Sequence, residues 1–322
     1  MHVIVTGAAG FIGSHACERL VARGDRVTGI DSFDGYLYPA EIKRRTAADL
    51  ARLPAAQFQM IEADICDPQA MASAIGEDVD VVCHLAALAG VRPSLAEPLR
   101  YLRTNIEGTG VIVERMRQLG LRRLVFASSS SVYGAKPGTA AAFREDDPCL
   151  TPASPYAATK RMNELQLSTY RDLFGIGVFA LRYFTVYGPR QRPDMAISKF
   201  TRAISRGEPI TLFGDGSSRR DYTYIDDIVS GTVAAISRVE PGRYELLNLG
   251  GSQTISLAEL VSIIEGVVGK PAIIDRQPDQ PGDVPITSAN VERARAVLGY
   301  APTTPPQLGI QRYWDWLARP MP

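Results

Sequence analysis

The first thirteen residues place a glycine-rich turn directly after an apolar strand. His2–Thr6 is typical of a buried β-strand, and GAAGFIG follows at residues 7–13, where a helical pattern begins. In such a turn, backbone N–H groups and the start of the helix face one point, which suits a pyrophosphate. Gly7 permits the tight turn, Gly10 the close approach of a ligand, and Gly13 the close packing of helix on strand. The GxxGxxG spacing predicts a dinucleotide-binding turn.

The first half of the chain alternates apolar strands with helical patterns. The predicted strands cover 2–6, 26–31, 57–62, 80–85, 122–127, 177–183 and 244–249, and the predicted helices cover 11–23, 68–75, 94–118 and 154–174. This order predicts an α/β fold with a parallel sheet covered on both faces by helices. We expect a dinucleotide-binding domain over 1–183 with a returning segment near 221–250. Pro and Gly clusters beyond it predict a smaller, loop-rich C-terminal substrate domain over 184–322.

Composition argues against several classes of protein. Lys and Arg number 35 and so do Asp and Glu, so the chain as a whole has no basic field for nucleic acid. No apolar stretch approaches the roughly 20 residues of a membrane span, and no targeting segment is visible. We therefore expect a soluble, cytoplasmic protein. The longest charge run, at 43–45, is predicted to be a solvated helix face.

The cysteines and histidines do not predict a metal site. The four cysteines form no CxxC pair, and the three histidines match no ligand spacing. Buried free thiols in a reducing compartment are the expected state of the cysteines.

Carboxylates after the second and third strands point to NAD. Asp31 ends the second predicted strand, where a carboxylate accepts hydrogen bonds from ribose hydroxyls and repels a 2′-phosphate. No Arg follows at 32–35, which favours NAD over NADP. After the third strand, Asp64 and Ile65 are predicted to contact the adenine.

A tyrosine and a lysine on one predicted helix face suggest proton transfer. Tyr156 and Lys160 have i, i+4 spacing, and an ammonium beside a phenol lowers the pKa of the phenol. The phenol then serves as a general base near neutral pH. ASSSSVYG, at 127–134, lies at the carboxyl end of the fifth strand, the edge at which such sheets bind ligands. We expect its hydroxyls to bond a substrate oxygen opposite Tyr156.

In this order, GxxGxxG, the serine run and YxxxK resemble the extended short-chain dehydrogenase/reductase superfamily. HLAALAGVRPS (84–94), SPYAATK (154–160), LRYFTVYGPRQRPDMA (181–196) and RRDYTYIDDI (219–228) resemble the NAD-dependent sugar-nucleotide epimerase/dehydratase family. The resemblance covers nearly the whole chain. It implies a Rossmann-type, doubly wound parallel sheet, bound NAD, a UDP-sugar substrate and a homodimer formed through the helices near 94–118 and 154–174.

The resemblance also implies a role for individual residues. The implied catalytic residues are Ser129, Tyr156 and Lys160. Ser129 is the expected contact to sugar O4, with Ser131 as the second candidate for it, and Tyr156 is the expected base. The implied cofactor-binding residues are Gly7, Gly10, Phe11, Ile12, Gly13, Asp31, Asp64, Ile65, Leu85, Ala86, Ala87, Tyr156, Lys160 and Tyr183. The implied substrate-binding residues are Arg92, Ser129, Ser131, Tyr156, Thr185, Arg192, Arg220 and Asp283.

The serine run limits which reactions of the family this chain is expected to catalyse. Dehydratases and decarboxylases of the family carry an acid just before VYG, whereas this chain has serine at positions 129–131. Elimination is therefore disfavoured, and epimerisation at C4 through a transient 4-keto sugar remains. TVYGPRQRPDMA resembles UDP-glucuronate 4-epimerases, in which Thr185 replaces an asparagine usual in UDP-glucose 4-epimerases. Arg192 and Arg92 are candidates to face the C6 carboxylate.

Other interpretations stay open at this point. Both arginines also suit surface ion pairs or phosphate contacts, and UDP-glucose is the alternative substrate. A non-catalytic regulator that binds NAD(H) is a more remote alternative, because it has no need of Tyr156, Lys160 and the serines together. We further hypothesise that Thr185 and Arg192 hold the carboxylate of a 4-keto glucuronate so that it does not lose carbon dioxide.

Overall fold

A computed structural model describes residues 1–134, 142–251, 253–278 and 286–319 of the 322-residue chain. The strands are β1 (His2–Thr6), β2 (Arg26–Asp31), β3 (Phe58–Glu62), β4 (Val81–His84), β5 (Arg123–Ser129), β6 (Gly177–Tyr183), β7 (Thr185–Tyr187), β8 (Pro209–Phe213), β9 (Arg219–Arg220), β10 (Tyr222–Tyr224), β11 (Tyr244–Leu249), β12 (Ile255–Ser256), β13 (Ile273–Gln277) and β14 (Ile286–Thr287). The α-helices are α1 (Phe11–Ala22), α2 (Ala40–Leu50), α3 (Pro68–Ala74), α4 (Val91–Ala96), α5 (Pro98–Tyr101), α6 (Gly108–Leu119), α7 (Pro155–Phe174), α8 (Ala196–Arg206), α9 (Ile225–Arg238), α10 (Leu257–Val268), α11 (Glu292–Leu298) and α12 (Pro306–Leu317).

Seven parallel strands form the central sheet, in the order β11-β6-β5-β4-β1-β2-β3. Side chains alternate between its faces, so Val3 and Val5 of β1 enter one apolar core and Ile4 enters the other. Helices α1 and α9 cover the first face, and α3, α6 and α7 cover the second. The predicted Rossmann-type parallel sheet is confirmed. Strand order reverses between β1 and β4, where a crevice forms at the carboxyl ends of the strands.

The long helix predicted over 154–174 is present as α7. Ser154 caps it, because its hydroxyl accepts a hydrogen bond from the N–H of Ala157 at 3.1 Å. Pro155 occupies the first turn, where its missing N–H costs nothing. Gly175, with φ +67°, ends the helix in the left-handed conformation.

The helix predicted over 94–118 is broken into pieces. Helices α4 and α5 are separated at Glu97, whose φ of −132° and ψ of 64° are not helical. Pro98 follows and lacks the N–H that a continuous helix requires. A π-helical stretch, Leu102–Glu107, then joins α5 to α6. Such stretches occur often at functional sites.

The region after β6 contains more helix than the sequence predicted. Within its described residues lie five helices, α8 to α12, so the expectation of a loop-rich region is wrong. The Pro and Gly cluster at 188–193 lies between β7 and α8, and the cluster at 207–218 contains the strand β8. The predicted strand 244–249 is confirmed as β11, which pairs with β6, and α9 packs on α1. The division into two domains stays a prediction.

All four cysteines are buried free thiols, as predicted. Burial raises the pKa of the Cys83 thiol to about 12, so it stays protonated at neutral pH. Across the described ranges, no helix is both long and apolar enough to span a membrane.

A buried ion pair joins α7 to the sheet. The side chains of Glu164 and Arg182 are 0% and 1% exposed, with Nε–Oε1 and Nη2–Oε2 distances of 2.8 and 2.9 Å. The Ser128 hydroxyl donates to the same carboxylate at 2.7 Å, and the guanidinium stacks over the ring of Tyr133. The pair is fully desolvated, so either charge alone would be costly.

We expect Glu164→Gln to lower the free energy of unfolding by about 3–5 kcal/mol, because it leaves Arg182 buried without its counterion. Urea denaturation measures the effect. Glu114→Gln is the matched control, since the ion pair of Glu114 with Arg117 is solvent-exposed and should contribute little. Equal losses in the two variants would contradict this assignment.

Candidate active site

A cleft of about 640 Å³ lies at the carboxyl ends of the sheet strands. It receives residues from the turn after β1, from the loops after β2 to β5, from α7 and from the segment after β6. The predicted site residues that line it are Gly7, Gly10, Phe11, Ile12, Gly13, Asp31, Asp64, Ile65, Leu85, Ala86, Ala87, Arg92, Ser129, Ser131, Tyr156, Lys160, Tyr183, Thr185, Arg192 and Arg220. Asp283 lies outside the described residues. The individual roles of these residues stay predictions.

The glycine turn has the geometry of an anion site. Gly7 has φ +71°, and a Cβ at Gly13 would lie 2.1 Å from the carbonyl oxygen of Gly7. Only glycine therefore lets α1 start this close to β1. Gly10 is the N-cap of α1 and provides no side-chain cap. The first N–H groups of α1 thus have no acceptor within the helix, and a pyrophosphate fits them.

Asp31 lies beside a lysine that sequence reasoning missed. The buried Asp31 carboxylate accepts hydrogen bonds from the N–H groups of Ala9 at 3.1 Å and Phe33 at 2.9 Å. Lys43 Nζ lies 3.8 Å from Asp31 Oδ1, and the lysine side chain is only 16% exposed. The expectation of a solvated face over 43–45 is therefore wrong for Lys43, although Arg44 is exposed. The lysine lines the cleft and is a further candidate for the adenosine ribose.

Asn105, another residue that the sequence did not single out, holds the loop after β4. It bonds both backbone groups of Leu88, with Oδ1 accepting from N–H at 2.8 Å and Nδ2 donating to the carbonyl at 3.0 Å. Nearer β4, the Ala86 N–H donates to the Thr6 hydroxyl at 3.1 Å. A Cβ at Gly7 would lie 2.9 Å from the Ala86 nitrogen. The loop and the glycine turn therefore form one continuous wall. A single asparagine in a helical pattern gives no indication in the sequence that it holds a loop in place.

His84 is a structural residue. Its ring nitrogens bond the hydroxyls of Thr6 at 2.7 Å and Thr109 at 3.0 Å. Burial and the nearby charge of Lys160 lower the pKa of His84 to about 3, so it is neutral at pH 7. Among the residues that the structure describes, no three His, Cys, Asp or Glu side chains are grouped as a metal site.

Ser129, Tyr156 and Lys160 lie together at the end of β5. Ser129 and Tyr156 both line this part of the cleft, and the Ser129 hydroxyl donates to Ser131 Oγ at 3.1 Å. The buried Lys160 ammonium donates to the carbonyl of Ala127 at 2.7 Å. The two hydroxyls and the ammonium therefore line one side of the cleft, as the i, i+4 spacing requires.

The predicted tuning of Tyr156 by Lys160 needs correction. Burial is the largest effect and raises the pKa of Tyr156, opposed by the polar side chain of Ser129 and the positive charge of Arg192. Burial also lowers the pKa of Lys160 to about 7, opposed by the negative charge of Glu164. The cation that favours the phenolate is thus Arg192, which the sequence placed only with the substrate.

Arg192 is held firmly next to this group. Its Nε and Nη2 atoms bond the Asp194 carboxylate at 3.0 and 2.6 Å, and Nη1 donates to the carbonyl of Ala89 at 3.2 Å. The side chain is 14% exposed. Arg92 differs, because it is exposed on α4 and stacks over the Phe213 ring at 5.4 Å. The two arginines therefore occupy different parts of the cleft.

The remaining predicted residues lie around these groups. Thr185 begins β7, and Arg220 lies in β9 beside Thr287 of the neighbouring strand β14. The Tyr183 hydroxyl forms a hydrogen bond of 2.9 Å with Thr232 of α9. The ring of Tyr183, rather than its hydroxyl, is thus available to the cleft.

The chain is similar to a known protein family and to several proteins of known activity or structure. The sequence model of the NAD dependent epimerase/dehydratase family matches residues 3–250. A UDP-glucuronate 4-epimerase of Thermodesulfobacterium geofontis is 39% identical over 317 residues, 98% of this chain and 95% of that protein. The crystal structure of UDP-glucuronic acid 4-epimerase from Bacillus cereus, in complex with UDP-glucuronic acid and NAD, has a TM-score of 0.91 and 38% identity, covering 98% of this chain and 99% of that one. UDP-glucose 4-epimerase from Thermotoga maritima, with UDP-glucose, has a TM-score of 0.88 and 28% identity over 98% of both chains.

The pKa of Lys160 makes stability depend on pH in a defined direction. Below about pH 7 the lysine is protonated in both the folded and the unfolded chain, and its buried charge destabilises the fold. Between about pH 7 and 10 the folded chain releases this proton while the unfolded chain keeps it, so the free energy of unfolding rises with pH.

We expect Lys160→Met to remove this rise, which is on the order of a few kcal/mol. Denaturant titrations at several pH values measure it. Lys199→Met is the control, because Lys199 is exposed on α8 and its loss should leave the rise intact. An unchanged rise in Lys160→Met would show that this lysine is not the titrating group.

Proposed function

The chain belongs to the NAD dependent epimerase/dehydratase family, and from this premise we propose that it is a UDP-glucuronate 4-epimerase. This isomerase would interconvert UDP-glucuronate and UDP-galacturonate by inverting C4. One observation carries the proposal: a single cleft joins the dinucleotide turn to Ser129, Tyr156 and Lys160, with the restrained Arg192 beside them. Similarity of 38–39% to UDP-glucuronate 4-epimerases over nearly the whole chain supports the same substrate.

The cleft has room and chemistry for NAD along one side. The N–H groups at the start of α1 suit the pyrophosphate, and Asp31 with Lys43 suits the adenosine ribose. We assign Asp64 and Ile65 to the adenine, and Leu85, Ala86, Ala87 and Tyr183 line the same cleft. When bound, NAD supplies the acceptor that takes and returns the hydrogen of C4.

Tyr156 moves the proton of the 4-hydroxyl. Ser129 bonds the same oxygen and orients it, and Ser131 keeps the Ser129 hydroxyl in place. Because burial raises the pKa of Tyr156, its phenolate form needs a cation nearby, and Arg192 supplies it. Tyr156 takes the proton as the 4-keto sugar forms and returns it after the sugar has turned over in the pocket.

The nucleotide end keeps the substrate bound during this rotation. Arg220 is placed to bind the diphosphate, for which a guanidinium offers two parallel donors. Arg92, at the exposed side of the cleft, is placed to attract the anionic substrate. The chain has zero net charge, so these few local cations, rather than the overall charge, would recruit it.

With UDP-glucuronate and UDP-glucose supplied in competition, we expect NMR to show that UDP-galacturonate is the main product. The restrained Arg192 favours a carboxylate over a hydroxymethyl group at C6. Predominant formation of UDP-galactose would instead support the UDP-glucose alternative.

We expect Tyr156→Phe to lower kcat by about 10²- to 10⁴-fold while the variant still binds NAD, because only the proton-transferring hydroxyl is lost. The control Tyr170→Phe changes a tyrosine of the same helix that bonds Glu114 outside the cleft. Full turnover in Tyr156→Phe would contradict the proposed role of Tyr156 in proton transfer. It would favour a regulator that only binds NAD(H).

The carboxylate of the 4-keto intermediate makes decarboxylation a competing reaction, and we assign Arg192 and Thr185 to prevent it. A 4-keto glucuronate is a β-keto acid, and it decarboxylates when its C5–C6 bond aligns with the carbonyl π system. Holding the carboxylate out of that alignment prevents the loss. The three hydrogen bonds that fix the Arg192 guanidinium support this role.

We expect Arg192→Ala to release UDP-4-keto-pentose or UDP-xylose, detected by NMR, and to do so at the expense of UDP-galacturonate. Arg92→Ala should raise KM without changing the ratio of these products, because Arg92 lies at the exposed side of the cleft. Normal epimerisation by Arg192→Ala with no decarboxylated product would refute the hypothesis.

We also propose a cytoplasmic homodimer. Free buried thiols suit a reducing compartment. The helices packed against α7 expose Leu95 at 63% and Leu99 at 77%, and α7 itself exposes Met162 at 44% and Leu165 at 54%. Two such faces, one from each subunit, would bury these apolar side chains against one another.

We expect the wild-type chain to sediment as a dimer and both Leu99→Glu and Leu165→Glu to sediment as monomers. Leu150→Glu is the control, since Leu150 is 82% exposed but lies outside these helices. A monomeric wild type, or variants that stay dimeric, would contradict the proposed interface.

A further inference from the structure

Tyr101 lies behind the cleft and is fully buried. Its hydroxyl donates to the carbonyl oxygen of Ala89 at 3.1 Å. The same oxygen accepts the hydrogen bond from Arg192 Nη1 at 3.2 Å. One backbone carbonyl therefore takes two donors, one from the body of the protein and one from the cleft.

The ring of Tyr101 also packs against the catalytic tyrosine. It meets Tyr156 edge to face, with centroids 6.2 Å apart and an angle of 76°. On another side it meets Tyr36 at 6.5 Å and 78°. Tyr101 is thus in contact with the proton-transferring residue and, through Ala89, with the cation beside it.

The loop that carries Ala89 is held at two points one helical turn apart. Tyr101 ends α5, and Asn105, in the π-helical stretch that follows, bonds both backbone groups of Leu88. Gly90 next to them has φ +110°, and a Cβ there would lie 3.4 Å from Arg192 Nη2. The backbone at 88–90 is therefore shaped to receive the guanidinium.

We propose that Tyr101 is a positioning residue that sets the Arg192 guanidinium relative to Tyr156 through the Ala89 carbonyl, and so protects the substrate carboxylate. The inference rests on the proposed function. A carbonyl bonded from two directions has a fixed orientation, whereas one with a single donor can rotate with its loop. Without the Tyr101 hydroxyl, the Ala89 carbonyl that accepts from Arg192 is held less firmly, although every residue that lines the cleft is still present.

The chemical consequence is specific to a uronate. If the carboxylate of the 4-keto sugar turns into alignment, the C5–C6 bond breaks and carbon dioxide leaves. The electron pair of that bond forms an enolate with its charge on the C4 oxygen. Protonation at C5 by water then gives UDP-4-keto-pentose.

The test is Tyr101→Phe, which keeps the ring against Tyr156 and removes only the hydroxyl. We expect the ratio of ketopentose to UDP-galacturonate, measured by NMR, to rise about fivefold, as expected for the loss of one hydrogen bond. In calorimetry, affinity for UDP-glucuronate should fall by a similar factor, and affinity for UDP should not change. Tyr36→Phe is the matched control, since its hydroxyl donates to the carbonyl of Pro93 and not to Ala89.

A double-mutant cycle separates positioning from a general structural effect. In an Arg192→Ala background, Tyr101→Phe should not raise the ketopentose ratio further, because there is no guanidinium left to position. Additive effects, an unchanged ratio, or equal losses of affinity for UDP and UDP-glucuronate would each overturn the inference. A wild type that forms no UDP-galacturonate overturns the proposed function as well, whereas a silent Tyr101→Phe in an active enzyme overturns this inference alone.

Discussion

The carboxylate of Glu164 binds Arg182, Ser128 and Arg161 at once, in the interior beneath the cleft. It ties α7 to β5 and β6, so the helix that carries Tyr156 keeps its distance from the serines at the end of β5. Glu164 also lies one helical turn from Lys160, and its charge opposes the fall of the lysine pKa on burial. One buried carboxylate thus supports both the geometry and the electrostatics of the site. A substitution of Glu164 would change both stability and proton transfer. Substitutions of the catalytic residues therefore separate the two effects better.

Features encoded in short windows of sequence were predictable. The glycine turn follows from spacing within seven residues, and a Cβ at Gly13 would indeed collide with the preceding turn. The seven sheet strands follow from continuous apolar runs, and α7 from Ser154 and Pro155 at its start. Tyr156 and Lys160 share a face because four residues separate them in a helix. In each case the residues that predict the element lie close together in the chain.

Features that depend on distant contacts were not predictable. Lys43 meets Asp31 only after α2 has packed on α1, and the charge run around it is also typical of a solvated face. The Ala89 carbonyl joins Tyr101 to Arg192, which is 103 residues from Ala89 in the chain. The predicted direction of the Tyr156 pKa was wrong, because i, i+4 spacing reports proximity to a lysine and not the depth of burial. Burial is a property of the whole fold.

In the proposed reaction, the hydrogen at C4 is removed and returned within one cleft, to the opposite face of the same sugar. UDP-glucuronate labelled with deuterium at C4 tests this most directly, with the product analysed by NMR after incubation in ordinary water. We expect UDP-galacturonate that keeps its deuterium at C4, because the label never reaches solvent. Inverted product that carries solvent hydrogen at C4, or no inversion at C4 at all, would contradict it.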